Sequence, residues 1–307
     1  MDTTIKDLGE FGLIEKIKTL FGKPQDALGI GDDCAVLPFD KTNLLVTVDT
    51  LIENVHFFSN HPLDKLAIKA ININISDIVA CGGYPKWAFL SLSLNPQTKT
   101  SQIDLFLESL QKCFANSNLE LLGGNTTKDD KLSINITLIG ETDKPILRSS
   151  AKENQDVYVT GKIGCAACGF FAIKNNLKES DECLNRFLAP KARLDLIEKI
   201  KPYATAMIDI SDGLLQDAMH ICTSSNIGMD IILENINLCE SKYLSDIDKI
   251  TFGEDYELLF CADKKYRNSL LEIKDVKLIG YTNNSKKLTI YNKGKILTPQ
   301  KYGFRHF

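Results

Sequence analysis

Carboxylates stand inside some of the most apolar stretches of this chain. Asp49 closes LLVTVD, Asp77 sits in NISDIVA, and Asp209 and Asp212 share MIDISDGL. Stretches of that kind build a core, and a carboxylate in or beside a core is costly unless a cation answers it. Asp32 and Asp33 in GIGDD, and Glu254, Asp255 and Glu257 in GEDYELL, extend the acidic set. No Lys or Arg lies within a few residues of Asp49, Asp209 or Asp212. The economical counter-charge is Mg²⁺, a hard ion that takes oxygen ligands and is often shared with phosphates. Singly, each acid has an ordinary reading. Asp33 is a turn residue, Asp212 an N-cap for a helix from Gly213, Asp49 the solvated end of a strand, and Asp77 a polar residue bonded to a backbone amide. Together they favour a metal cluster.

A chain of 307 residues predicts two domains, with one large α/β domain as the alternative. The formal net charge is −4 and no strong basic field is visible, which argues against nucleic-acid or acidic-membrane partners. No apolar run reaches the ~18–20 residues that span a bilayer, and the opening MDTTIKDLGEFG lacks the pattern of a secretory leader. Nine scattered cysteines suggest reduced thiols and a cytoplasmic location. Cys165 and Cys168 form a C-x-x-C. A zinc site would need further ligands close by in the sequence and none is evident, so the pair reads as small residues packing a helix.

Periodicity supplies a coarse map. Helices are expected over FGLIEKIKTLF, over residues 64–81, from a capping box at Ser101 and Asp104, from Cys165 to about Asn175, from Pro190 onward, and over LLQDAMHICTSSN, stopped by Gly228. Strands are expected at LLVTVDT, WAFLSLSLN, LSINITLIG, VYVTG, AMIDIS, MDIILENI and YELLFCA, with LELLGGNTT a short strand entering a glycine turn. The polar stretch Gly140–Asp156 is read as the domain boundary, giving domains 1–145 and 146–307.

Gly124 and Asn125 in LLGGNTT suit a close approach to phosphate, although a Gly-Gly turn alone is often only a turn. A P-loop, kinase H-R-D and D-F-G elements, a dinucleotide fingerprint and a G-x-S-x-G elbow are all absent. His56 follows the strand that ends at Asp49 closely enough to face the same pocket, whereas His220 fits the apolar face of its helix. Arg148 is a solvated linker arginine or a phosphate clamp.

Taken in order, GIGDDCAVL, VTVDTLIENVHF, NISDIVACGGYPKWAFLSLSL, LLGGNTT, DISDGLLQD, GEDYELLF and YGFRHF resemble the thiamine-monophosphate kinase family. That family belongs to the superfamily of aminoimidazole ribonucleotide synthetase and selenophosphate synthetase. The resemblance covers nearly the whole chain. It implies an α/β (α+β), two-domain aminoimidazole ribonucleotide synthetase-like fold, with N-terminal domains pairing into an interface β-barrel in a homodimer. It implies ATP-dependent phosphorylation of thiamine monophosphate to thiamine diphosphate. Carried over by position, Asp33, Asp49, Asp77, Asp209 and Asp212 would bind several Mg²⁺ ions, with Thr47 and Val48 beside Asp49 and Asn125 as a further ligand. Asp49, Asp77 and Asp212 would be central to catalysis. Gly124, Asn125, Arg148 and Ser211 would contact ATP, and His56, Glu254 and Phe304 would hold thiamine monophosphate. Asn125 stands where the family usually has Asp, and Val48 where it often has Thr, so Val48 offers only its backbone carbonyl.

Overall fold

A computed structural model describes residues 4–304. Period-two alternation builds the first sheet. Its strands are β1 (Ala35–Phe39), β2 (Thr42–Ile52), β3 (Tyr84–Leu94), β4 (Glu120–Lys128) and β5 (Ser133–Thr142), in the spatial order β1-β2-β5-β3-β4. β5 alternates buried and half-buried residues along its whole length, as a strand with one packed face should. All neighbours are antiparallel except β3 and β4. After the short helices α1 (Ile5–Leu8) and α2 (Glu10–Phe21) comes α3 (Leu63–Ala80), and α4 (Thr100–Asn116) makes the crossover between the parallel strands.

The second sheet has seven strands: β6 (Asp156–Thr160), β7 (Ala204–Asp209), β8 (Gly228–Ile232), β9 (Leu258–Ala262), β10 (Val276–Asn283), β11 (Leu288–Asn292) and β12 (Lys295–Leu297). Their order is β12-β11-β8-β10-β6-β9-β7. The helices of this half are α5 (Cys165–Lys174), α6 (Asp181–Leu188), α7 (Ile197–Ile200), α8 (Leu214–Ser225), α9 (Asp246–Ile250) and α10 (Arg267–Leu271). β6 and β9 are buried throughout because both faces are covered. Val157, Val159, Leu259 and Cys261 enter the core under α8, while Tyr158, Leu258 and Phe260 join the core that continues into the first sheet.

α3 links the two halves. It packs on β2, β3 and β5 and also touches β7 and α6. It is buried almost all round, which is why its ININIS segment, alternating in sequence, is nonetheless helical.

Several local expectations need correction. LELLGGNTT contains no turn: Gly123 and Gly124 lie inside β4, with a register shift opposite Ala88 and Phe89. A Cβ on Gly124 would lie 1.7 Å from the Leu90 carbonyl oxygen, so the glycine serves close strand approach. α4 starts at Thr100, and it is the Gln102 side chain that accepts the Lys99 N–H (3.3 Å), not a box from Ser101. Pro190 starts no helix, and the chain stays irregular until Ile197. α8 ends on Asn226 in the left-handed region (φ 54°), and Gly228 already belongs to β8. α2 forms as expected but buries none of its residues.

Candidate functional site

β2 presents alternate residues to α3, so Thr47 and Asp49 face the helix while Val48 points to the other side of the sheet and is 58% exposed. α3 supplies Ser76 and Asp77. β7 ends in Asp209, and the turn before β1 supplies Asp32 and Asp33. Carboxylate oxygens of Asp33, Asp77 and Asp209 lie within 4.8 Å of one another. Asp49 shares a hydrogen bond with Asp77. Thr47 Oγ1 donates to Asp77 (2.5 Å), and Ser76 Oγ donates to Asp209 (2.6 Å).

Burial, then the charges of Asp49 and Asp209, hold Asp77 well above the ordinary carboxylate range. Burial and Asp33 do the same to Asp209, and burial lifts Asp49 to about 6. These are the marks of acids gathered against their own repulsion. Their donors are oxygens only, and three come close enough to share an ion, so the residues fit Mg²⁺. Asp32 and Asp33 do meet a cation. Arg148 is no solvated linker residue: its Nη2 lies 2.5 Å from Asp33 Oδ1, and its N–H donates to Asp32 Oδ2 (3.0 Å).

A second group adjoins the first through β7. The loop after Thr251 is laced to the end of that strand: Glu254 N–H donates to Ser211 O (2.8 Å) and Tyr256 N–H to Ile210 O (2.9 Å). Gly253 permits the approach. Its φ is +92°, and a Cβ there would come within 2.2 Å of Ser211 O. Phe304 N–H donates to Asp212 O (2.9 Å), which brings the end of the described chain to the same place. Of the matched YGFRHF stretch, residues 305–307 lie outside the described residues. Asp212 is not an N-cap. Its own N–H and that of Gly213 are accepted by the buried Asp217, which groups with Asp212 and His220.

His56 is tied to this second group by a residue the sequence did not single out. Lys69, completely buried in α3, pairs with Glu254 Oε1 (2.7 Å) and reaches the His56 carbonyl (3.4 Å). Half-buried Phe170 stands in ring contact with Phe58, Phe252 and Phe187, Phe58 also meets Phe187, and Lys69 Nζ lies 4.4 Å from the centre of the Phe187 ring. The lysine was not visible as a site residue because its partner is 185 positions away.

Gly124 and Asn125 are not brought to the acids within one chain. Register aligns Asp49, Ile136, Leu90 and Gly124 across the sheet, so three strand spacings, about 14 Å, separate them. Two of the other acids have structural partners. Asp255 accepts the N–H groups of Gly164 (2.8 Å) and Ala166 (3.2 Å) at the start of α5, with its carboxyl pushed up to about 7 by burial. Glu257 pairs with Arg193 (2.7 Å) and Arg186 (2.9 Å).

Two mixed sheets joined by a helix, with acids gathered along the seam, define an AIR synthase related protein. Residues 31–142 match the family model for the N-terminal domain of that class, and residues 152–293 match the C-terminal domain. Within it, the chain belongs to the thiamine-monophosphate kinase family. It is 34% identical to thiamine-monophosphate kinase of Aquifex aeolicus, covering 99% of both chains, and 35% identical to that of Leptospira interrogans, covering 90% of this chain and 92% of the relative. Among solved structures it superposes on AaThiL complexed with AMPPCP and TMP with a TM-score of 0.90 and 31% identity over the whole of both chains. Among the described residues, no helix is long and apolar enough to cross a membrane.

Proposed function

We propose that this chain transfers the γ-phosphoryl group of ATP to the phosphate of thiamine monophosphate, releasing thiamine diphosphate and ADP. The observation that carries the reading is the convergence of Asp33, Asp77 and Asp209, with Asp49 bonded to Asp77, beside a group built on the buried Lys69–Glu254 pair. Joining two polyanions is chiefly a problem of charge and alignment. Asp33, Asp49, Asp77, Asp209 and Asp212 would hold several Mg²⁺ ions, with the Thr47 hydroxyl and the Val48 carbonyl beside them; such ions supply charge neutralisation for in-line transfer. The acceptor phosphate is already anionic near neutral pH, so Asp49 and Asp77 serve as ligands rather than proton acceptors. Arg148, oriented by Asp33, and Ser211 contact ATP. His56, Glu254 and Phe304 hold thiamine monophosphate, with Lys69 fixing Glu254 and the phenylalanines offering an apolar wall to its heterocycles.

Residues 1–145 form the nucleotide, metal and dimerisation domain, and 146–307 complete the site. The dimer has support in the first sheet. β3 and β5 pair with each other inside one chain, leaving β4 as an edge strand exposed along its whole length. Val48, Phe89, Leu121 and Leu122 are each exposed by 39% or more. A second copy closing a barrel would cover this surface, and it places Gly124 and Asn125 on the partner's nucleotide. Nine free cysteines agree with a cytoplasmic enzyme.

The test is a mass-spectrometric assay with ATP, Mg²⁺ and thiamine monophosphate. Thiamine diphosphate and ADP should form in equal amounts. Nucleotide binding without product, or ATP consumption that needs a different acceptor, would overturn the reading.

A further inference from the structure

The C-x-x-C of α5 does not stand alone. Folding brings Cys183, from the first turn of α6, and Cys239, from the segment after β8, onto Cys165 and Cys168. Among the described residues these four thiols form an apolar cluster of their own, each no more than 4% exposed, with only Leu244 packed against them. Sulfurs of Cys165, Cys183 and Cys239 lie within 4.8 Å of one another, and Cys168 is in hydrogen-bonding contact with Cys239. The closest pair, Cys183 and Cys239, is 3.1 Å apart. That lies between a disulfide at about 2.05 Å and two ligands of one tetrahedral zinc, about 3.8 Å from Zn–S bonds of about 2.3 Å.

We propose that Cys165, Cys168, Cys183 and Cys239 bind one thiophilic divalent ion, of the zinc class, in a structural Cys₄ site apart from the acidic seam. Three chain segments meet at this point. Cys239 N–H donates to Ile163 O (2.9 Å), just before α5, and α5 packs on α6. An ion there would clamp the start of α5, whose amides are held by Asp255 from the loop that carries Glu254. Four thiols gathered together select a soft or borderline ion over Mg²⁺, even with the Glu179 carboxylate near Cys168 and Cys183. Cys239 lines a surface cleft in which Lys178, Lys242 and Lys249 are matched by Glu179, Glu240 and Asp246, and this cleft gives the ion a way in. On binding, the thiols release their protons to solvent, so the affinity should rise with pH.

The full-length protein, purified under reducing conditions without chelator, loaded with Zn²⁺ and dialysed, should retain one zinc per chain. Loading with Co²⁺ should give an intense thiolate-to-cobalt charge-transfer band, a signature that carboxylate sites cannot produce. Cys168→Ser and Cys239→Ser should each lower zinc affinity at least tenfold and weaken the band, because one thiolate of four is lost. The idea is overturned if zinc is not retained and no band appears, or if the Cys variants keep zinc as the parent does. It is equally overturned if peptide mapping under those reducing conditions finds Cys183 and Cys239 joined as a disulfide. Should a variant fail to fold, the cobalt spectrum of the unmutated protein decides alone.

Discussion

Thr47 and Ser76 give Asp77 and Asp209 neutral hydroxyl donors, and the cation that meets the acids, Arg148, is held by Asp33 and Asp32. Asp77 thus bears its charge at a cost to the fold that an ion would offset. Asp77→Asn should reduce turnover about a hundredfold or more, the scale seen when one element of transition-state electrostatics is removed. Above neutral pH in chelator, the same variant should melt higher than the parent, because a buried acid held well above its usual range destabilises the folded state once ionised. Equal activity, or a lower melting temperature in chelator, contradicts the metal role. Lys69→Met addresses the second group. It leaves Glu254 without its partner and should cost about 1.5–3 kcal/mol of stability. It should also raise KM for thiamine monophosphate more than KM for ATP, as steady-state kinetics would show. The acids themselves were legible because charge inside an apolar stretch is conspicuous. Their partners were not: Arg148 is 115 positions from Asp33, so a search for counter-charges among chain neighbours could not find it.

Strands with one packed face were legible as elements, β5 most plainly, and α3 was legible by its length. β10 was not singled out, although it lies in the middle of the second sheet, between β8 and β6. In β4, glycines usually read as a turn are required by a neighbouring backbone. Gly124→Ala should therefore disrupt the β3–β4 edge and lower stability by more than the ordinary Gly-to-Ala preference. Loss of the far-edge surface should appear as dissociation in light scattering. His61, between β2 and α3, offers a pH test. Its Nε2–H donates to Leu188 O (2.8 Å), its Nδ1 has no hydrogen-bond partner, and burial lowers its pKa from 6.5 to about 4. The unfolded chain takes up this proton first as the pH falls, so His61 withdraws stability between pH 6.5 and about 4, by roughly 3 kcal/mol in all. His61→Gln keeps a donor toward Leu188. The stability gap between variant and parent should move in the variant's favour by that amount across the window, measured by denaturant titration at each pH. A gap independent of pH would show that His61 ionises as it does in the unfolded chain.

At the scale of the whole molecule, sequence order hides what the two halves share. The seam forms because α3, from the first half, touches β7, from the second, so acids in GIGDD, LLVTVD, NISD and MIDIS become neighbours only through that packing. The C-x-x-C acquired its companions in the same way, from α6 and the segment after β8. Asn125 is the reverse case: it belongs to the matched set by sequence, yet three strand spacings separate its strand from β2 in the same chain. The exposed edge and apolar face of the first sheet resolve this if Asn125 serves the nucleotide of a second copy. Light scattering at micromolar concentration should then give a dimer, and a fully active monomer contradicts the assignment. A sharper test mixes two inactive variants, Asp77→Asn and Asn125→Leu. In trans, a mixed dimer has one site that receives Asp77 and Asn125 both intact and one that receives neither. In cis, both sites of the mixed dimer lack one residue. Refolding or co-expressing equal amounts should yield about half mixed dimers and hence about a quarter of parental activity for the trans arrangement. Mixed dimers, isolated by two affinity tags, should show about half. If isolated mixed dimers are as inactive as the parent variants, Asn125 acts within its own chain or not at all, and its place at the partner's nucleotide is lost.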